Sequence, residues 1–124
     1  MSGYTLDAGA LIALERDHRA LYARLARATK TSTIAVPAAA LAQVWRDGRK
    51  QARLARLLAR RDVEVVVLDE VGARRVGQLC GARGTSDVVD AAVVLCAMER
   101  AHAIITSDAK DLSRLDPRAL LIEI

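Results

Sequence analysis

Three aspartates carry the chemistry on offer in this sequence. Asp7 closes the short apolar start Tyr4-Thr5-Leu6, Asp90 interrupts an otherwise apolar run, and Asp108 follows Ile104-Ile105-Thr106-Ser107. If both short runs are parallel strands, their carboxyl ends lie on one edge of the sheet, the edge where α/β proteins bind ligands. Asp90 would approach that edge from a helix N-terminus. Like charges about 4 Å apart at an effective dielectric near 20 repel by roughly 4 kcal/mol per pair. Three converging carboxylates therefore need a cation, protonation or distance. Hard oxygen donors without sulfur or imidazole suit Mg2+ or Mn2+, ions that keep water ligands and bridge to phosphate oxygens. The matching reaction is in-line phosphodiester hydrolysis, in which metal charge activates water and stabilises the leaving oxygen. No catalytic histidine is required.

Each acid also has a plainer role to weigh. An aspartate between a strand and a helix usually caps the helix, which suits Asp7 taken alone, and Asp108 with Asp111 in the following first turn. Asp90 is harder to dismiss. Among Val, Ala and Leu neighbours a helical aspartate costs about 0.6 kcal/mol in propensity, and more once desolvated, so a functional charge is the better account. Asp87 lies three residues earlier on the same helical face, near the positive end of the helix. It is a further ligand candidate or a favourable first-turn acid.

These positions matter only if the intervening elements bring them together. Tyr4 to Leu6 predicts a strand, and Ala8 to Glu15 a helix with Asp7 as its cap. A second helical pattern runs from Asp17 to about Ala28. Thr33 to Val36 is a β-branched and apolar strand candidate, and Pro37 suits the first turn of the next helix. That helix turns Leu41, Val44 and Trp45 inward, breaks near Gly48, and gives way to an amphipathic stretch with Leu54, Leu57 and Leu58. Val63 to Leu68 is the clearest strand. Glu70 to Leu79 predicts a helix, Gly81 and Gly84 a loop, and Ser86 a cap for an almost wholly apolar helix from Val88 to Met98. Ala103 to Thr106 predicts a strand, Asp108 to Leu115 a short helix, and Leu120 to Ile124 a last strand. The alternation implies a three-layer α/β/α sandwich around a mostly parallel sheet. At 124 residues, positions 1–124 form one domain by the usual prior.

Composition narrows the function classes. Aromatic residues are 2% of the chain, with no Phe, so Leu, Val, Ile and Ala must build the core and base-stacking platforms are disfavoured. The longest apolar stretch, Ala91 to Met98, falls far short of the ~20 residues of a membrane span. The start lacks a basic segment ahead of an apolar one and carries Asp7 early, unlike a secretory signal. A cytoplasmic protein is expected. Cys80 and Cys96 lack short-spaced partners and predict buried thiols. With His18 and His102 they match no zinc spacing.

The formal net charge of +4 permits a polyanionic partner. Arg46, Arg49, Lys50, Arg53, Arg56, Arg60 and Arg61 recur every three or four residues, so much of this charge can share a helical face that tracks phosphates or meets an acidic partner. A solvated amphipathic helix is an equally good account. Arg46, Arg49, Lys50 and Arg53 are the candidate contacts to a nucleic-acid backbone.

Taken together, Leu6-Asp7-Ala8, Ser86-Asp87-Val88-Val89-Asp90-Ala91 and Thr106-Ser107-Asp108 resemble the motifs of PIN-domain ribonucleases. More narrowly, the chain resembles VapC toxins of bacterial toxin–antitoxin pairs over nearly its whole length. The resemblance implies a Mg2+- or Mn2+-dependent endoribonuclease that is silenced by a cognate VapB-like antitoxin and forms a homodimer. By motif position, Asp7, Asp90 and Asp108 correspond to metal-site acids, with Asp87 a further ligand candidate and Thr106 and Asp111 in support. One position departs from the pattern: Gln43 stands where the helix after the second strand usually supplies glutamate. Its carbonyl oxygen can coordinate or orient water, but it adds no negative charge. Glu15 is a compensating candidate.

The main rival is a non-catalytic PIN-like module that binds RNA or antitoxin with a metal site weakened by Gln43. A phosphoacceptor domain built on Asp69 would need a late-strand lysine, and Lys110 is poorly situated. Gly77, Gly81 and Gly84 lack the Lys-Ser/Thr pair of a nucleotide phosphate loop. The helices from Leu11 to Leu25 and from Leu41 to Leu58 carry more apolar surface than a small monomer obviously needs, which supports a homodimer.

Overall fold

The computed structural model describes residues 3–28 and 33–124. In chain order the elements are β1 (Tyr4–Leu6), α1 (Ala8–Glu15), α2 (Arg19–Ala28), β2 (Ile34–Pro37), α3 (Ala38–Val44), α4 (Ala52–Leu58), β3 (Val63–Val66), α5 (Glu70–Arg83), α6 (Val88–Arg100), β4 (Ala103–Thr106), α7 (Ala109–Leu115) and β5 (Leu121–Glu123). The five strands form one sheet in the order β3-β2-β1-β4-β5. Every neighbouring pair is parallel. Helices flank this sheet, giving the α/β/α architecture that the alternating pattern predicts.

Strand order decides where a ligand can sit. From β1 the chain steps outward through β2 and β3, then returns to place β4 on the other side of β1, with Leu6 opposite Ile105. The connections therefore diverge between the carboxyl ends of β1 and β4, which opens a crevice there. Asp7 follows one of these strands and Asp108 the other. Helix α6 leads into β4 and packs against β1, β2 and β4. A helix running back toward the start of its strand has its own N-terminus at the opposite edge, so Asp87 and Asp90 approach the same crevice.

The core is aliphatic. Leu6, Leu11, Leu14, Ile34, Val36, Leu54, Val93, Ile104, Ile105 and Leu112 are almost completely shielded from solvent. Helix α6 buries Ala91, Ala92, Val93, Val94, Cys96 and Ala97, consistent with its near-continuous apolar sequence. Cys80 and Cys96 are free and buried as expected. Among the described residues no helix is long and apolar enough to cross a membrane.

Several boundaries move from the sequence expectation. Helix α5 continues through Gly81 and ends at Gly84, whose φ of 68° lies in the left-handed region that glycine adopts without a Cβ penalty. Ser86 does not cap α6, because Asp87 takes that position and accepts the Asp90 backbone N–H. Strand β3 stops at Val66, and Val67 and Leu68 extend into solvent. Pro37 ends β2 and stands at the N-cap of α3, one residue ahead of the first turn expected for it.

The apolar surplus expected on α1 to α4 is absent. Leu11, Leu14, Leu21, Leu25, Leu54 and Leu57 are all spent on the chain's own core. Apart from Ile12 on α1, the large exposed apolar side chains among the described residues lie elsewhere, with Val65, Val67, Leu68 and Val71 grouped around the β3 edge and the start of α5.

The basic stretch is not one helical stripe. Arg46, Arg49 and Lys50 lie in the turns between α3 and α4, and Arg53 and Arg56 on α4 itself. Arg46 donates to the Ala42 and Trp45 carbonyls. Arg53 faces Asp17 at 3.6 Å, and Arg60 pairs with Asp62 at 2.6 Å while reaching the Leu25 carbonyl.

Candidate metal centre

Asp7 is held by the turn from β1 into α1. Its Oδ1 accepts the Ala10 N–H at 2.8 Å, so the helix-capping role expected for it alone is real. It is also 4% exposed, a degree of burial that capping does not require. Burial is the main cause that pushes its carboxyl above the usual aspartate range, and the charge of Asp108 pushes the same way. Hydrogen bonds from Thr106, Ala10 and Gly9 oppose the rise.

Asp108 stands at the N-cap position of α7, yet its side chain accepts no capping hydrogen bond. The ordinary role for this residue is therefore unfilled, and the carboxylate is left to its neighbours. Its backbone N–H donates to the Thr106 hydroxyl at 2.7 Å. A carboxyl hydrogen bond and like charge from Asp108 raise the pKa of exposed Asp111.

The third arm comes from the start of α6. Thr85 Oγ1 accepts the Asp87 N–H at 3.1 Å, and Asp87 Oδ1 accepts the Asp90 N–H at 3.0 Å. This double turn fixes the entry to α6 and turns Asp90 inward. Burial pushes the Asp90 carboxyl up to about 7, followed by the charge of Asp87, a hydrogen bond with it, and the charges of Asp7 and Asp108. Asp7, Asp87, Asp90 and Asp108 thus share one electrostatic neighbourhood, and Asp111 adjoins it through Asp108.

Oxygen donors alone make up this group, the donor chemistry of Mg2+ and Mn2+. Among the described residues no three acidic, histidine or cysteine side chains are already drawn into a ready ligand shell. Instead burial and mutual repulsion raise the Asp7 and Asp90 carboxyls, as expected of crowded carboxylates whose charge a cation would balance. The donor set fits a hard divalent ion.

Gln43 lies exposed on the last turn of α3 and hydrogen bonds to none of these acids among the described residues. Glu15 ends α1, with its backbone carbonyl facing Arg53. Asp69 caps α5 by accepting the Gly72 N–H, which accounts for it without phosphoacceptor chemistry. Arg49 and Lys50 are exposed, as a surface contact requires.

Three residues in the site escape sequence reasoning. A pocket of about 220 Å³ beside the acids is lined by Arg83, Gly84, Thr85, Asp87, Asp90, Asp111, Arg114 and Leu115. Arg83 and Arg114 belong to different helices, 31 positions apart by their residue numbers, and no spacing rule joins them. Thr85 carried a signal, since a threonine two residues before an N-cap aspartate readily forms such a turn.

No curated protein matches the sequence. Among solved structures the fold is similar to one described as VapBC2 from Rickettsia felis bound to a DNA fragment from their promoter. The TM-score is 0.75 at 19% identity, over 98% of this chain and 98% of that one. At that identity the likeness speaks for the fold. The family model of the PIN domain matches residues 4–116, a span that includes all the acids described above, and the chain therefore belongs to the PIN domain family.

Proposed function

We propose that this protein is a divalent-metal-dependent endoribonuclease, the toxin of a VapBC-like toxin–antitoxin pair, with the whole chain acting as one cytoplasmic domain. The observation that carries this reading is the convergence of Asp7, Asp90 and Asp108 from three separate elements, with Asp90 raised to about 7 by burial and its acidic neighbours. Asp7, Asp90 and Asp108 would hold Mg2+ or Mn2+, with Asp87 beside them. The bound ion supplies positive charge for the attacking water and for the oxygens of the scissile phosphate. Thr106 orients the Asp7 carboxylate and anchors the backbone that carries Asp108. Asp90, raised to about 7, would ionise more readily with a cation beside it. Asp111 lies close enough to Asp108 for its carboxyl to be raised by it and would extend the acidic group on the α7 side.

Partners follow from surface chemistry. A groove of about 210 Å³ between α2 and α4 has Leu14, Tyr22, Leu25 and Leu57 in its lining with Arg53, Arg56 and Arg60. Apolar side chains beside exposed Arg56, which makes no ion pair among the described residues, suit an amphipathic acidic segment, the chemistry expected of an antitoxin. A second copy of the chain fits the exposed Val67, Leu68 and Val71 rather than the leucines of α1 to α4.

The exposed Gln43, without a bond to the acids, keeps a second reading in play: a PIN-like module that binds RNA or antitoxin without cutting. Cleavage of a structured RNA with Mg2+ or Mn2+ by wild type, Asp7→Asn and Gln43→Glu separates the two. Activity in wild type that disappears in Asp7→Asn supports the nuclease. Activity confined to Gln43→Glu supports the binding module.

A further inference from the structure

The pocket beside the acids has two chemically opposite sides. Asp87, Asp90 and Asp111 supply negative charge, and Arg83 and Arg114 supply two guanidinium groups from the end of α5 and from α7. Acids alone would repel a phosphodiester, and even with a cation on them they leave the flanking nucleotides without positive contacts. Arginine is suited to that gap, because its planar fork binds two phosphate oxygens at once.

The two arginines are also available. Arg83 is exposed and makes no ion pair among the described residues. Arg114 reaches Asp111 only at 4.0 Å, with side chains 71% and 48% exposed, a contact that contributes little at such exposure. Arg60 of the basic stretch contrasts with them, since it is tied to part-buried Asp62 at 2.6 Å.

We propose that Arg83 and Arg114 grip the backbone phosphate of the nucleotide next to the scissile bond, on the side of the acids formed by α5 and α7. This rests on the nuclease reading above and adds to it the direction in which the RNA strand leaves the centre.

The test uses Arg83→Ala/Arg114→Ala, with Arg24→Ala/Arg27→Ala on α2 as a control that removes the same charge. Fluorescence anisotropy of a labelled single-stranded RNA in EDTA gives the salt dependence of binding without cleavage, and steady-state cleavage in Mn2+ gives KM and kcat separately. Loss of one phosphate contact flattens the log–log salt slope by about 0.7. KM should rise about tenfold or more, with kcat within about twofold if only ground-state binding is lost. The control keeps the wild-type slope and KM. An active wild type whose double variant has unchanged slope and KM overturns this inference alone; the arginines then serve another partner, such as an acidic protein segment. A wild type that neither binds nor cleaves RNA overturns the nuclease reading, and the phosphate grip with it.

Discussion

The Thr106 hydroxyl accepts the Asp108 backbone N–H at 2.7 Å and in the same position hydrogen bonds to the Asp7 carboxylate. A hydroxyl has one proton and two lone pairs, so both bonds form together only if Thr106 donates to Asp7. One fully buried side chain at the end of β4 thereby links the two sides of the crevice. Thr106→Val keeps the shape and removes the link. It leaves the Asp108 N–H without this partner, at a cost of about 1–3 kcal/mol, and should weaken Mn2+ binding by about 10- to 100-fold, the usual effect of removing a group that orients a ligand. Calorimetric titration with Mn2+ measures this directly; wild-type affinity in a folded variant would mean that Thr106 does not organise the acids.

Stability should depend on pH through Asp90. Its carboxyl moves from 3.8 to about 7 on folding, so between those values the folded protein holds a proton that the unfolded chain has lost. With more protons on the native state, unfolding free energy falls as pH rises. The loss spans roughly pH 4 to 7 and levels off above. Asp7 is raised as well and acts in the same direction. Thermal melts in EDTA should show Tm falling across this window, and Asp90→Asn should remove much of the slope. Saturating Mn2+ should lift the curve most at high pH, where its ligands are ionised. A Tm that is flat or rising over the window would sink the assignment.

Gly9 permits a close approach that the site depends on. A Cβ at this position would run into the Ser107 hydroxyl, lie 3.2 Å from the Ser107 Cβ and 3.4 Å from Asp7 Oδ1. Gly9→Ala gains up to about 1 kcal/mol in helix propensity, which offsets part of the cost of displacing the loop between β4 and α7. Thermal stability should change little, while Mn2+ affinity falls because Asp108 moves with that loop. Adding Ser107→Gly clears the space and should restore binding. A single variant with unaltered affinity would show that the loop yields without consequence.

The arginines between residues 46 and 61 should divide into two groups. Arg60 is tied to Asp62 through two nitrogens, at 2.9 and 2.6 Å, and Arg60→Ala should lower stability by about 1–2 kcal/mol with an unchanged salt slope for RNA. Arg49→Ala/Lys50→Ala should leave stability within about 0.5 kcal/mol and flatten the slope. Chemical denaturation and anisotropy on both variants check this; the reverse pattern would remove the turn before α4 from the RNA surface.

Local pattern carried much of this protein. Ile104-Ile105-Thr106, the apolar stretch after Val88 and the acids at 7, 90 and 108 were enough to predict the strands, the buried helix and a sheet edge crowded with carboxylates, because alternation, propensity and charge cost act over a few residues. Ser86 and Asp87 were harder to rank, since both can cap a helix and only the turn made by Thr85 selects the second. The leucines of α1 to α4 looked surplus because sequence gives apolar character without its partners.

What remained was decided by contacts between distant segments. That Asp7 and Asp108 face one crevice follows from the pairing of β4 with β1, that Arg53 meets Asp17 from the placement of α4 beside the end of α1, and that Arg83 and Arg114 share a pocket from the packing of α5 against α7. Sequence determined which groups carry charge and which faces avoid water, because those are properties of single residues and their near neighbours. Tertiary structure decided which charges meet, because the energy of an ionised group depends on the distance and burial of every other charge around it.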